Sequence, residues 1–201
     1  MQMNPSAEAE INENYLVKRI REGDNTAWEK LVQAHQQPVF RLSYLLLGDA
    51  ADAEDNAQET FLRAWRALDR FDAARSLRPW LLSIAANLAR NRRRSSGRYI
   101  RALRRLVVHL PQGSEPASSA WIEERTEQSS RSKILWRAVQ ALPYDHQKVI
   151  YLRFFLDMSV EETAQTLGTA PGTVKSRLHR ALNRLRQVID SDYPTLKEWL
   201  E

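Results

Sequence analysis

A run of arginines near the middle of the chain is the strongest chemical signal in the sequence. Eight arginines and no acidic residue lie between Arg90 and Arg105. Charges of one sign at this density repel one another, and a polyanion relieves that repulsion. The run therefore predicts a contact surface for nucleic acid. An anionic membrane is less favoured because Trp and Phe do not line an opposite helix face, and a solvated face without a ligand is the third interpretation.

Two aromatic residues precede this run. Phe71 begins a polar loop, and Trp80 immediately precedes the segment LLSIAANLARNRRR at residues 81–94. Aromatic rings beside a positive track are the combination that binds single-stranded DNA, since bases stack on the rings and phosphates pair with the cations. The alternative is that both rings belong to the core.

A second candidate site lies in the C-terminal part. Ser159 and Glu162 form a capping-box pattern, Gly168 is placed to end the short helix that follows, and Pro171 suits the first turn of the next one. Helix, tight turn and helix predict a helix-turn-helix. The second helix carries five basic residues and no acid over 171–186, which fits the major groove. An ordinary amphipathic helix of a bundle is the alternative.

A third pattern lies in DAEDNAQETFLRAWRAL at residues 52–68. At 100° per residue, the alanines, Thr60 and Phe61 face inward. The acidic residues at its start suit the positive end of the helix dipole. Leu62 falls on the polar outer face, which indicates a protein partner there.

Composition excludes several classes of function. The chain has 201 residues and no Cys, so disulfides, thiol catalysis and zinc fingers are ruled out. Its four His are scattered, and we expect no metal and no cofactor. No apolar run approaches the ~18 residues of a membrane span, and the polar N-terminus does not resemble a secretory signal. We expect a cytoplasmic protein without direct membrane insertion.

Apolar spacings of three and four predict an all-α fold of two small helical domains on a flexible linker. The predicted domains are 1–106 and 131–201, with the Pro- and Ser-containing linker at 107–130. The predicted helices are 11–22, 25–47 with a break near Pro38, 52–68, 79–94, 131–141, 144–156, 160–167 and 171–189.

Three motifs together resemble the bacterial sigma factors of the extracytoplasmic-function (ECF) type. They are DAEDNAQETFLRAW at 52–65, RPWLLSIAANLARNRRR at 78–94 and GTVKSRLHRALNRLR at 172–186. The resemblance implies a transcription initiation factor rather than an enzyme, whose partners are core RNA polymerase (β′ clamp helices and β flap) and promoter DNA. An anti-sigma partner is implied by the family alone.

The resemblance also implies a role for each candidate site. Polymerase binding is assigned to Asp55, Gln58, Glu59 and Leu62. Contact with the opened −10 strand is assigned to Phe71, Trp80, Asn87, Arg90, Arg92, Arg93 and Arg94. Readout of the −35 duplex is assigned to Thr173, Lys175, Ser176, Arg177, His179 and Arg180.

One departure from the family is Ala170, which stands where a capping Ser is common, so that the recognition helix loses about 1 kcal/mol unless Thr169 caps it. A free-standing helix-turn-helix regulator is the main alternative function, and it would leave the outer face of 52–68 without a purpose. A nucleic-acid enzyme is disfavoured because paired carboxylates are missing from the basic segment. A regulatory mimic of a sigma factor is disfavoured because the motifs of both domains are intact.

Overall fold

The computed structural model describes the backbone of residues 5–106 and 127–192 and the side chains of residues 13–95 and 134–192. All regular structure in those ranges is helical, so the all-α prediction is confirmed. Two compact units are present, one of residues 1–47 and 51–111 and one of residues 48–50 and 112–201. The predicted linker lies mostly outside the described residues, as do the side chains of the arginine run beyond Arg94.

In its described residues, the first unit consists of four helices. They are α1 (Pro5–Arg21), α2 (Asn25–Leu47), α3 (Ala50–Ala67), which continues into a 3-10 turn (Leu68–Arg70), and α4 (Leu77–Leu106). Gly23, at φ 90°, lets the chain reverse between α1 and α2. The Asp24 carboxylate then accepts hydrogen bonds from the backbone N–H of Thr26 (2.9 Å) and of Ala27 (3.3 Å), which caps α2.

Helix α2 is continuous through Pro38, so the predicted break is wrong. Buried residues on both sides of Pro38, among them Leu31 and Leu42, hold the helix in the core despite the missing hydrogen bond. Helix α4 runs twelve residues past its predicted end. The arginines, alanine and leucines of 98–106 are good helix formers, and the single Gly97 costs only about 1 kcal/mol.

A buried polar link fixes α3 between its neighbours. Asn56 Nδ2 donates to Ser43 Oγ on α2 (2.8 Å) and to the Ala85 carbonyl on α4 (3.1 Å). Thr60 Oγ1 donates to the Asn56 carbonyl (2.7 Å). Because buried polar groups are costly when unpaired, this link selects one register of α3 against α2 and α4.

The second unit is also built of helices. They are α5 (Glu127–Gln140), α6 (Tyr144–Ile150), a π-helical turn (Tyr151–Phe155), α7 (Val160–Leu167) and α8 (Pro171–Asp192). The buried Gln147 side chain donates to the carbonyls of Gln140 (2.8 Å) and Leu142 (2.7 Å) and so holds the α5–α6 turn.

The predicted helix 144–156 ends as a π turn, where the Leu156 N–H donates to the Tyr151 carbonyl (3.0 Å). Asp157 then takes φ 53°, a left-handed conformation that Asp tolerates better than most residues, and the helix cannot continue.

The predicted helix-turn-helix is present. Both hydrogen bonds of the capping box form, from the Glu162 N–H to Ser159 Oγ (3.0 Å) and from the Ser159 N–H to Glu162 Oε2 (2.6 Å). Gly168 ends α7 at φ 62°, and three residues later α8 begins at Pro171. Val174 and Ala181 are fully buried, which turns the opposite face of α8 outward. In the described parts of the chain, no helix is both long and apolar enough to cross a membrane.

Candidate nucleic-acid and partner interfaces

One exposed face of α4 carries four of the seven side chains predicted to contact single-stranded DNA. These are Trp80, Asn87, Arg90 and Arg94, which fall within about 80° of arc at 100° per residue. Trp80 is partly buried and the other three are exposed. Neither Arg90 nor Arg94 has a hydrogen-bond or ion-pair partner among the described residues. The face runs for about 21 Å at 1.5 Å per residue and combines a ring, an amide and two available guanidinium groups.

Arg92 and Arg93 lie outside this face and make contacts within the first unit. Arg92 Nη1 donates to the Asp52 carbonyl (2.8 Å), and its Nη2 pairs with Asp55 Oδ2 (3.0 Å). Arg93 Nη1 donates to the Leu46 carbonyl (3.3 Å). The two arginines thus tie α4 to the start of α3 and the end of α2. Their contact with DNA stays a prediction.

Phe71 lies in the core rather than on the loop surface. Its side chain is 6% exposed, and its ring packs against the Trp80 ring with centroids 4.6 Å apart and planes inclined by 41°. As placed, the Phe71 ring cannot stack on a base. Phe71 therefore occupies the position of a core aromatic, which was the alternative interpretation of the sequence. Trp80, by contrast, keeps part of its ring accessible.

The outer face of α3 combines polar and apolar groups. The predicted polymerase-binding residues Asp55, Gln58 and Leu62 are exposed, and the Glu59 carboxylate pairs with Arg63 on the surface (2.7 Å). Asp55 is already paired with Arg92. Leu62 is 53% exposed, so an apolar side chain faces solvent in the middle of this stripe.

Trp65, which was not among the predicted site residues, extends the same stripe. Trp65 lies three residues after Leu62 and is 42% exposed. Its ring meets the Trp28 ring of α2 edge-on, with centroids 5.0 Å apart. Its position in the sequence could have revealed it, because residues 58, 62 and 65 are separated by four and three residues and therefore share one face of a helix. Trp is enriched at protein interfaces, so the exposed pair of Leu62 and Trp65 marks this stripe as a candidate protein-binding surface.

The outer face of α8 presents the residues predicted to read duplex DNA. Lys175, Ser176, His179 and Arg180 are exposed, and Thr173 and Arg177 are partly buried at its edges. His179 Nε2 lies 3.1 Å from Asn183 Nδ2, and Arg180 Nε donates to the Ser176 carbonyl (3.3 Å). The guanidinium is therefore aligned along the helix with donors still available for a base edge or a phosphate.

The start of α8 has no side-chain cap. The Ala170 carbonyl accepts the first helical bonds, from the N–H groups of Thr173 (2.9 Å) and Val174 (3.2 Å), so Ala170 occupies the capping position. Thr169 Oγ1 is buried and has no hydrogen-bond partner in the described part of the chain. Thr169 therefore does not replace the missing cap.

Comparisons with protein families and with known proteins identify relatives of this chain. The family models "Sigma-70 region 2" and "Sigma-70, region 4" match residues 31–99 and 132–185. The ECF RNA polymerase sigma factor SigW of Bacillus subtilis is 31% identical over 174 residues, which is 85% of this chain and 93% of SigW. SigL of Mycobacterium tuberculosis, also an ECF sigma factor, is 35% identical over 157 residues, 78% of this chain and 85% of SigL.

Two solved structures are similar in fold. The sigma factor RpoE of Bartonella quintana, solved with the anti-sigma factor NepR, gives a TM-score of 0.61 at 26% identity and covers 82% of this chain and 97% of RpoE. CnrH, solved with the cytosolic domain of CnrY, gives 0.65 at 24% identity over 90% of this chain and 99% of CnrH, a likeness of fold alone. The two family models and the relatives together show that the chain belongs to the sigma-70 family, as an alternative sigma factor of the ECF type.

Proposed function

We propose that the chain directs core RNA polymerase to specific promoters, with one task for each of the three surfaces. The outer face of α3 binds the β′ clamp helices. The exposed face of α4 captures the opened −10 strand, and the outer face of α8 reads the −35 duplex. The second unit also contacts the β flap.

The exposed Leu62 and Trp65 side chains are the observation that carries this proposal. A free-standing helix-turn-helix regulator needs a DNA-reading helix, which α8 supplies, but it has no use for an apolar pair on a helix of the other unit. Desolvating such a pair in a protein interface is favourable at roughly 25 cal/mol per Å² of apolar surface. Gln58 and the Glu59 carboxylate, beside this pair, supply polar contacts that fix its orientation.

Strand opening follows from the chemistry of the α4 face. Unstacking and unpairing a base costs a few kcal/mol. Stacking of an unpaired base on the accessible part of Trp80 returns about 1–3 kcal/mol, and Arg90 and Arg94 neutralise the phosphates that follow. Capture of one or two bases is thus enough to offset their extrusion.

An anti-sigma protein is a further partner that we propose for this chain. RpoE of Bartonella quintana, which it resembles in fold, was solved with one. The exposed apolar pair on α3 offers such a protein a surface that would compete with polymerase.

Run-off transcription with purified core polymerase over a random promoter library tests the proposal. The wild-type chain should select templates that share two sequence elements at a fixed spacing. Glu59→Lys should abolish holoenzyme formation, because it places a cation in the docking surface, while the binding of α8 to a selected −35 duplex stays unchanged. Glu29→Lys, an equal charge reversal at an exposed position of α2, is the matched control. Promoter-specific transcription by Glu59→Lys would reject the docking surface.

A further inference from the structure

Arg21, the last residue of α1, makes side-chain contacts with residues much further along the chain. Its Nε and Nη2 donate to the Leu68 carbonyl (3.2 and 2.9 Å), and Nη2 also donates to the Phe71 carbonyl. These acceptors lie 47 and 50 residues further along the chain. They lie at the end of the helical segment that α3 begins, which is the negative end of the helix dipole, and the Leu68 carbonyl also accepts the Phe71 N–H (3.1 Å). A guanidinium group, planar and always charged, suits this position.

The Phe71 carbonyl is the point at which the loop 71–76 leaves the helix. Beyond it, Asp72 Oδ1 accepts a hydrogen bond from the Ala74 N–H (3.0 Å), and the Arg75 N–H donates to the Asp72 carbonyl (2.9 Å), so the loop makes a compact turn. The Phe71 ring points inward and packs against Trp80, with centroids 4.6 Å apart. One series of contacts therefore joins the Arg21 guanidinium to the Trp80 ring.

We propose that Arg21 is a positioning residue for strand capture, because it fixes Phe71 and Phe71 supports Trp80. This inference rests on the proposed function of the α4 face. It gives Phe71 a supporting role instead of the direct contact with the strand that the sequence suggests. It also makes α1 part of the promoter-opening apparatus, although Arg21 precedes residues 31–99, which match the family model.

A supporting side chain and a DNA contact have different signatures. If Arg21 paired with a phosphate, its removal would lower the slope of log affinity against log salt by about 0.7 for a single strand. A positioning residue leaves that slope unchanged. Its effect also disappears once the group that it positions is gone, so that its removal and the removal of Trp80 are not additive.

The test uses the full chain bound to core polymerase and a fork template whose −10 strand is unpaired, with the sequence selected by the wild type. Trp80→Leu removes the flat ring and should weaken capture of the fork about tenfold. Arg21→Ala should weaken capture by a similar factor, and the double variant no further than Trp80→Leu alone. Lys18→Ala is the matched control, since it removes an exposed positive charge from the last turn of α1 and should capture the fork as the wild type does.

Each outcome bears on the inference. Wild-type affinity of Arg21→Ala, a multiplicative loss in the double variant, or a reduced salt slope would overturn it. If Arg21→Ala unfolds, Arg21→Lys replaces it, since Lys keeps the charge and one donor nitrogen. Arg21→Lys should bind the fork about threefold more weakly than the wild type, again without adding to the effect of Trp80→Leu. A full multiplicative loss of affinity in that double variant would count against the inference. A wild-type chain that does not bind core polymerase rejects the proposed function instead, which keeps the two failures apart.

Discussion

Arg90 and Arg92 stand two residues apart on α4, and their surroundings separate their roles. Arg90 is exposed and has no partner in the described part of the chain, whereas Arg92 is bound to Asp52 and Asp55. A cation that already has carboxylate and carbonyl partners gains less from a phosphate than a hydrated one does. The described arginines of the run, at 90–94, therefore divide into side chains available to DNA and side chains that hold the helices together.

Replacing each arginine with Ala tests this division. Arg90→Ala should weaken binding of the holoenzyme to a single −10 strand and lower its salt slope by about 0.7, because one phosphate contact is lost. Arg92→Ala should leave the slope unchanged and lower the free energy of unfolding by about 1 kcal/mol, since a partly exposed ion pair and one hydrogen bond disappear. Equal loss of salt dependence in both variants would show that Arg92 also contacts the strand.

At the scale of the element, helix ends decide how firmly each functional surface is held. The α7 start has a complete capping box, whereas α8, which carries the proposed duplex-reading face, starts at Ala170 without a side-chain cap. Helix α2, unlike α8, has a side-chain cap, because the Asp24 carboxylate accepts hydrogen bonds from two backbone N–H groups.

Ala170→Ser should supply the missing cap of α8. A Ser at this position can accept a hydrogen bond from a backbone N–H of the first turn, which stabilises a helix by about 1 kcal/mol. Hydrogen exchange of the buried α8 amides should slow by the corresponding factor of about five. Ala141→Ser, at an exposed position past the end of α5, is the control and should change stability by less than about 0.5 kcal/mol. No slowing in Ala170→Ser would mean that the serine hydroxyl does not reach the helix.

The cap of α2 should make the first unit sensitive to acid. Partial desolvation raises the pKa of the Asp24 carboxyl, but the Ala27 and Thr26 N–H groups and the Arg19 guanidinium lower it by more, so the net shift is downward. The stabilisation is then complete above about pH 4, the ordinary pKa of Asp, and is lost as pH falls through the lowered pKa.

Asp24→Asn separates the charge from the cap. Asn caps a helix about as well as Asp, so it should retain most of the stability at neutral pH and lose the acid-dependent part, whereas Asp24→Ala should be less stable than both at pH 7. Urea unfolding at pH 7 and pH 3 measures the difference. An Asn variant that remained as sensitive to acid as the wild type would assign the effect to other carboxylates.

At the scale of the whole molecule, the two proposed DNA-binding surfaces belong to separate compact units. Arg90 belongs to the first unit and Arg180 to the second. If polymerase holds both units on one promoter, each surface contributes its own share of the binding free energy, and the second contact forms at the high effective concentration that tethering creates.

Changes in the two units should therefore add. Arg180→Ala should weaken promoter binding by the holoenzyme by roughly 1–3 kcal/mol if Arg180 contacts a base edge. Combined with Arg90→Ala, the loss should equal the sum of the single losses within about 0.5 kcal/mol, because the two residues share no partner. Filter binding of one selected promoter measures all four proteins. A coupling well above that limit would show that −35 readout and −10 capture depend on each other.

Local sequence signals determined the secondary structure and the position of the helix-turn-helix. The capping box at Ser159, the left-handed Gly168 and the apolar repeats act within a few residues, so they can be recognised in the sequence, and the structure agrees with them. The basic run that begins at Arg90 and the outward placement of Leu62 were predictable for the same reason.

Tertiary structure alone decided which of these residues are available. Arg92 contacts partners about 40 residues away along the chain, and Arg21 contacts Leu68, which lies 47 residues further along. Phe71 is buried because α4 brings Trp80 against it. Helix periodicity shows which side of a helix is apolar, but it does not show which other helix lies opposite. The partners of a long polar side chain, and hence its function, are fixed only when the helices pack.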